Sequence, residues 1–202
     1  MSKSIIRRSA FFALLLSGLL LVSCSTNASV ASNTDTPAPT EAPSVTATSA
    51  PQPPQWFDAE LTDVVSGKTF RMSDFAGKVV LVEAMATWCP TCWTQELEVK
   101  KLQGLLGDTQ DIVLVSLDVD LHEDANTLKE FAATGGLDWY FAVAPLEVDR
   151  ELNTLYGTDF SNPPLAPMLI IDQAGDVYGL PNGVKSAEAL QRTLENHLNP
   201  EG

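Results

Sequence analysis

Between Ser25 and Gln55, 23 of 31 residues are Ser, Thr, Ala or Pro, and none is aromatic. Such a stretch cannot bury enough apolar surface to offset the entropy of ordering it. Its six prolines bias it toward extended polyproline II. At about 3.1 Å per residue it would reach roughly 90 Å, a tether rather than a fold. Whatever folds in this chain of 202 residues therefore folds from residue 56 onward. The 144 residues of 56–199 suffice for one domain with its own core.

Charge and composition exclude several classes. Twelve Lys and Arg stand against 26 Asp and Glu, a net charge of −14. That balance excludes a nucleic-acid binder that works by charge, and also attraction to anionic head groups. No apolar run reaches the roughly 18–20 residues of a membrane-spanning helix. Three cysteines are too few for a disulfide-dense mini-protein.

Residues 1–23 carry Lys3, Arg7 and Arg8, no acid, and the mostly apolar run Ala10–Val22. A basic start, a short apolar run and then small residues describe a secretory signal peptide. Leu21-Val22-Ser23-Cys24 resembles the bacterial lipobox, which implies that Cys24 is lipidated and begins the mature chain. Loss of three cations moves the mature chain from −14 to −17. The expected organisation is a lipoprotein signal peptide over 1–23, lipidated Cys24 and a disordered tether over 24–55, and a folded domain over 56–202. The expected location is the extracytoplasmic face of the bacterial cell membrane, where disulfides persist.

Within the folded segment, Phe57–Thr62 and Lys68–Phe70 flank Ser66-Gly67 as a hairpin. Ser73-Asp74 caps a short helical turn. Val79–Ala84 and Ile112–Val119 are continuous apolar runs, as strands buried on both faces would be. Helices are expected from Pro90 to about Leu106, over Glu123–Thr134, over Leu146–Tyr156, and from Ser186 to about Leu198. Tyr140–Val143, Met168–Asp172 and Val177–Leu180 read as strands. The order implies an α/β sandwich, a mixed sheet covered by helices, with an N-terminal β-hairpin extension.

Trp88-Cys89-Pro90-Thr91-Cys92 sits where the Val79–Ala84 strand meets the next helix. Cys89 falls at the helix start, where free N–H groups and the dipole favour an anion. Its thiolate is thereby stabilised, and thiolate is the attacking species in disulfide exchange. Cys92, one turn inward, suits the resolving role. Three other readings compete. A zinc site needs more ligands, and His122, His197 and Cys24 lie scattered. An inert bridge closing so small a loop would stabilise little. The surroundings of Cys89 lack the spacing of a peroxide-reducing cysteine.

The folded segment resembles the membrane-anchored thioredoxin-fold group of TlpA/ResA type, which includes the reductants of cytochrome c maturation. The resemblance rests on Phe57…Leu61-Thr62 with Gly67-Lys68, on Phe75-Ala76-Gly77-Lys78-Val79-Val80-Leu81-Val82, on Ala86-Thr87-Trp88-Cys89-Pro90-Thr91-Cys92, and on Leu169-Ile170-Ile171-Asp172 with Gly175. It implies a thiol–disulfide oxidoreductase without bound cofactor, acting on protein thiols and disulfides and recharged by a membrane thiol transporter. It also implies a cis proline at Pro167 that frees the Ala166 backbone to pair with an extended substrate. Glu83 falls where thioredoxins bury an acid near the inner cysteine, and burial would raise its pKa enough for proton transfer to and from Cys92. Trp88, Pro90, Thr91, Trp93 and Ala166 are the expected groove residues, with Trp88 shielding the site.

The sequence also departs from that group. Gln95 stands where an acid is usual, with Glu96 one residue later. Met168 follows Pro167, and the loop Thr158–Ala166 is long. Asp118, Asp120, Glu123 and Asp124 read as a solvated loop and helix start rather than a metal site. The favoured function is a lipid-anchored reductant of protein disulfides. The alternatives are a disulfide-donating oxidase and a non-catalytic thioredoxin-fold binding module.

Overall fold

A computed structural model describes residues 53–198. The signal peptide, Cys24 and nearly all of the tether lie outside the described residues. Gln55, assigned above to the tether, belongs to the fold: its N–H donates to Glu151 Oε1 at 2.7 Å.

The central sheet has five strands in the order β5-β4-β3-β6-β7. They are β3 (Val79–Met85), β4 (Ile112–Asp118), β5 (Tyr140–Val143), β6 (Met168–Ile171) and β7 (Val177–Gly179). β3, β4 and β5 run parallel, whereas β6 is antiparallel to β3 and β7 to β6. Every residue of β3 is buried, which is why its sequence is a continuous run rather than an alternation. A separate hairpin pairs β1 (Leu61–Thr62) with β2 (Thr69–Phe70). The mixed α/β sandwich expected from the sequence is the fold observed.

Two apolar layers fill the sheet's faces. One joins Leu81, Met85, Cys89, Cys92, Met168 and Ile170 to three helices, α1 (Pro90–Leu106), α2 (Ala125–Gly135) and α4 (Ala187–Leu198). The other joins Val80, Val82 and Leu169 to α3 (Leu146–Tyr156) and to the N-terminal residues Trp56, Phe57, Phe70 and Phe75. The helix boundaries follow local chemistry. Asp124 caps α2 by accepting from the N–H groups of Asn126 and Thr127. Gly107 ends α1 at a φ of 63°, a conformation that favours glycine.

The first predicted strand is shorter than expected. Gln55–Asp58 forms a 3₁₀ turn, and only Leu61–Thr62 pairs. Trp56 and Phe57 are both buried, and consecutive residues of a strand point to opposite faces. A helical turn sends both rings into one core, where they meet edge to face at 4.8 Å. Trp56 thus fastens the extension to α3 through Tyr156, whose hydroxyl accepts from its indole at 3.3 Å. We expect Trp56→Ala to cost about 3–5 kcal/mol of unfolding free energy, read from urea denaturation. A loss under about 1 kcal/mol would mean that the extension does not support the core.

Candidate active site

The site is built at the C-terminal end of β3, where the chain turns into α1. Cys89 and Cys92 are joined as a disulfide, with Cα atoms 5.3 Å apart. Cys89 is the N-cap of α1, and its Sγ accepts from the Cys92 N–H at 3.1 Å. Pro90 opens the helix, where its missing N–H costs nothing. A thiolate on Cys89 would thus meet one directed donor and the positive end of the helix.

Both sulfurs are enclosed. Cys92 is 0% exposed, and Cys89 is 1% exposed. The Pro163 carbonyl lies 3.3 Å from Cys92 Sγ. Trp88, Pro90, Thr91 and Trp93 surround this point unequally. Trp88 is 56% exposed. Pro90 is exposed, and Thr91 is half-buried. Trp93 is also half-buried and packs edge-on against Phe131 at 5.1 Å.

Pro167 requires a correction. Among the described residues no peptide bond is cis, so the Ala166–Pro167 bond is trans. The chain reverses instead through Ala166, which adopts a left-handed φ of 46°. Nor is the Ala166 backbone free. Its N–H donates to Pro163 O at 2.8 Å, and its carbonyl accepts from Lys185 Nζ at 2.6 Å. Pro167 is buried and built into the sheet, with its carbonyl accepting from Ala84 N–H at 3.1 Å.

Behind the disulfide lie two buried carboxyls. Glu83 is 2% exposed, in register with Ser116 on β4 and Met168 on β6. It shares the sheet face of Leu81 and Met85, the face that carries Cys92. Glu96, 0% exposed, follows Cys92 by one helical turn. None of the four oxygens has a hydrogen-bond partner of normal geometry. Burial raises Glu83 well above the usual carboxyl range, Glu96 raises it further, and Lys185 opposes the rise. Burial pushes Glu96 up to about 8. The nearby Ser116 hydroxyl moderates that rise without bonding Glu96 at normal geometry. It is held in place by accepting from Trp139 Nε1 at 3.0 Å.

A second acidic group grips the chain just before Cys89. Glu123 accepts from the Thr87 N–H at 2.8 Å and from the Thr87 hydroxyl. Asp120 accepts from Trp88 Nε1 at 2.6 Å. Asp118 is fully buried rather than solvated, and burial first, then Glu123 and Asp120, raise it to about 8. The sequence predicts a solvated loop and helix start here, and nothing in its pattern signals the grip on Thr87 and Trp88. Glu96 and Lys185 were missed as site residues too. The spacing of Cys92, Glu96 and Val99 at i, i+4 and i+7 was the available signal for Glu96.

A disulfide at a helix start on this mixed sheet, backed by buried carboxyls, defines a thioredoxin-fold redox domain. The family model described as Redoxin matches residues 37–197, and the chain belongs to that family. It is 29% identical over 139 residues to the thiol-disulfide oxidoreductase ResA of Geobacillus kaustophilus strain HTA426, covering 69% of this chain and 74% of that one. A thioredoxin-family thiol:disulfide interchange protein from Chlorobium tepidum TLS has a similar structure, with a TM-score of 0.58 at 23% identity, covering 69% of this chain and 92% of that one. So does the exposed lipoprotein thioredoxin of Streptococcus pneumoniae strain TIGR4, with a TM-score of 0.51 at 26% identity, covering 68% of this chain and 98% of that one. The protein is a thiol–disulfide oxidoreductase that acts on protein thiols and disulfides.

The raised carboxyls set a stability profile. From about pH 4.5 to about 8 the folded chain retains protons on Glu96 and Asp118 that the unfolded chain has released, and Glu83, raised well above the usual carboxyl range, acts in the same direction. Their contribution is fully present below the unfolded-state pKa and is lost as pH rises through that window. We expect the oxidised protein to melt several degrees higher near pH 5 than near pH 8, at roughly 2–4 °C per kcal/mol. Glu96→Gln flattens the slope. A midpoint that climbs from pH 5 to 8, with the variant running parallel, would contradict this account.

Proposed function

We propose that this protein is a lipid-anchored reductant of protein disulfides, held at the outer face of the cytoplasmic membrane through Cys24. The observation that carries the reading is Cys89 at the cap of α1, bonded to Cys92 and receiving its N–H. In the reduced protein the Cys89 thiolate attacks a partner disulfide, and one partner sulfur leaves. The Cys92 sulfur then attacks Cys89 Sγ and releases the second partner sulfur. Two electrons pass to the partner, and the Cys89–Cys92 bond is restored. Glu83 and Glu96, both held largely protonated by burial, are the acid–base groups for Cys92: the ionised fraction takes the Cys92 proton as that sulfur attacks, and the protonated form returns it in the reverse step. Pro167 holds the sheet end beside the cysteines, and Trp88, Pro90 and Thr91 offer the surface a partner meets.

The reducing direction is supported by the acids. A strong oxidant needs its reduced thiolate well stabilised. Here Asp120 and Glu123 hold the two residues before Cys89, and their charge opposes that thiolate. A signal peptide, a lipobox-like Cys24 and a long tether support the location. So does the likeness to an exposed lipoprotein thioredoxin. No helix among the described residues is long and apolar enough to cross a membrane. Electrons would come from a membrane thiol transporter, and an apocytochrome is one candidate partner.

We expect the Cys89–Cys92 couple to equilibrate near or below roughly −220 mV in graded thiol buffers. A value near −120 mV would instead mark a disulfide donor. Insulin reduction should vanish in Cys89→Ser, and activity that survives the change removes the assignment. Glu83→Gln should slow turnover by about 10²-fold or more, the usual worth of a positioned acid–base group. Identical rates in Glu83→Gln and wild type across pH 5–9 would dismiss its proton role.

A further inference from the structure

The enclosure of Cys92 has a definite structural cause. The chain between α3 and β6 forms two 3₁₀ turns, Thr158–Ser161 and Pro163–Leu165, and the second lies against Cys92 through the Pro163 carbonyl. This loop is fastened to the segment between β7 and α4 at three points. Asn182 Nδ2 donates to Asp159 Oδ2 at 3.0 Å. The Gly183 N–H donates to Leu165 O at 2.7 Å. Lys185 Nζ donates to Ala166 O at 2.6 Å and to Gly183 O at 2.7 Å.

Lys185 is itself held from α1. The side chain of Gln95, fully buried and three residues beyond Cys92, grips its peptide on both sides. Gln95 Oε1 accepts from the Lys185 N–H at 2.7 Å, and Gln95 Nε2 donates to its carbonyl at 3.1 Å. The closed loop is under tension, because Ala166 sits in the left-handed region that disfavours a residue with a Cβ. A charged donor on the Ala166 carbonyl opposes that tension, and such bonds are stronger than neutral ones.

We propose that Lys185 is a positioning residue that latches the 158–166 loop over Cys89–Cys92 and so controls how readily a thiol reaches the sulfurs. The proposal rests on reading this pair as the redox couple. If the loop must open before attack, the exchange rate follows the open population. Weakening the latch then speeds attack on Cys89 without altering either cysteine.

The test uses the oxidised full-length protein with dithiothreitol at pH 7, followed by tryptophan fluorescence. Two dithiothreitol thiols are oxidised to a cyclic disulfide while the Cys89–Cys92 bond is reduced to two thiols. Lys185→Met should react at least about tenfold faster, a change of about 1.4 kcal/mol in the barrier. Lys185→Arg, which keeps a cationic donor, should stay within about threefold of wild type. Should circular dichroism show Lys185→Met unfolded, Asn182→Ala removes an exposed point of the same latch and should give about a threefold gain. A folded Lys185→Met with an unchanged or slower rate overturns the latch. So does an equal gain in Lys185→Arg, or an Asn182→Ala rate equal to wild type where Lys185→Met does not fold. Failure of the underlying reading looks different: the wild-type pair would then show no insulin reduction at all.

Discussion

An acid in the middle of an apolar central strand governs how this site is built. Glu83 lies in β3, between β4 and β6, where every neighbour in the strand is buried. An ionised carboxylate with no partner is too costly in such a place, so the group keeps its proton or gains a counter-charge. The structure does some of each. Glu96 on α1 faces it and holds protons to about pH 8, while Lys185 supplies a positive charge from the opposite loop. Elements that carry the site's moving parts thereby meet around one carboxyl. α1 brings Cys92, Gln95 and Glu96, and the β7–α4 loop brings Lys185. A change in proton occupancy at Glu83 is felt at the base of the dithiol helix and at the loop above the sulfurs.

The turn into Cys89 shows the same use of acids in a different setting. The chain leaves β3 at Met85 and must present Thr87 and Trp88 in a fixed shape before the helix begins. The Thr87 N–H and hydroxyl donate to Glu123 and the Trp88 indole donates to Asp120, both acids lying in the loop that follows β4. Asp118 joins by accepting from the Asp120 N–H at 3.0 Å. Trp88 is therefore held through its indole N–H although the residue is largely exposed.

Much of this architecture was legible in the sequence, and the misses have specific reasons. Val79–Ala84 and Ile112–Val119 announced buried strands because both faces are covered. Pro90 and Gly107 bounded α1 through backbone chemistry that needs no tertiary context. Phe57 was drawn into a strand because β-propensity reads residues singly, whereas Trp56 and Phe57 must enter the same core. The cis bond expected at Pro167 was carried over from the resemblance alone, whereas here the bond is trans and the left-handed backbone falls on Ala166. The latch was invisible because Asp159–Asn182, Leu165–Gly183 and Ala166–Lys185 join segments far apart in the chain. Glu96 was noticed as a departure from the usual pattern, but only packing shows that it faces Glu83.

The proposed direction of electron flow rests on a contest between local dipoles and full charges. The positive end of α1 is equivalent to roughly half an elementary charge, and the Cys92 N–H adds one directed donor to Cys89 Sγ. Against them stand Asp120 and Glu123, each bonded within two residues of Cys89. Enclosure sharpens the contest, since a thiolate forming under the 158–166 loop is poorly hydrated and feels these charges at low effective dielectric. Less stabilisation of the thiolate means less stabilisation of the reduced state, and hence a couple more willing to give electrons up. The loop thus has two effects that share one origin. It restricts which thiols reach the sulfur, and by excluding water it lets the acids around Thr87 and Trp88 weigh on the potential.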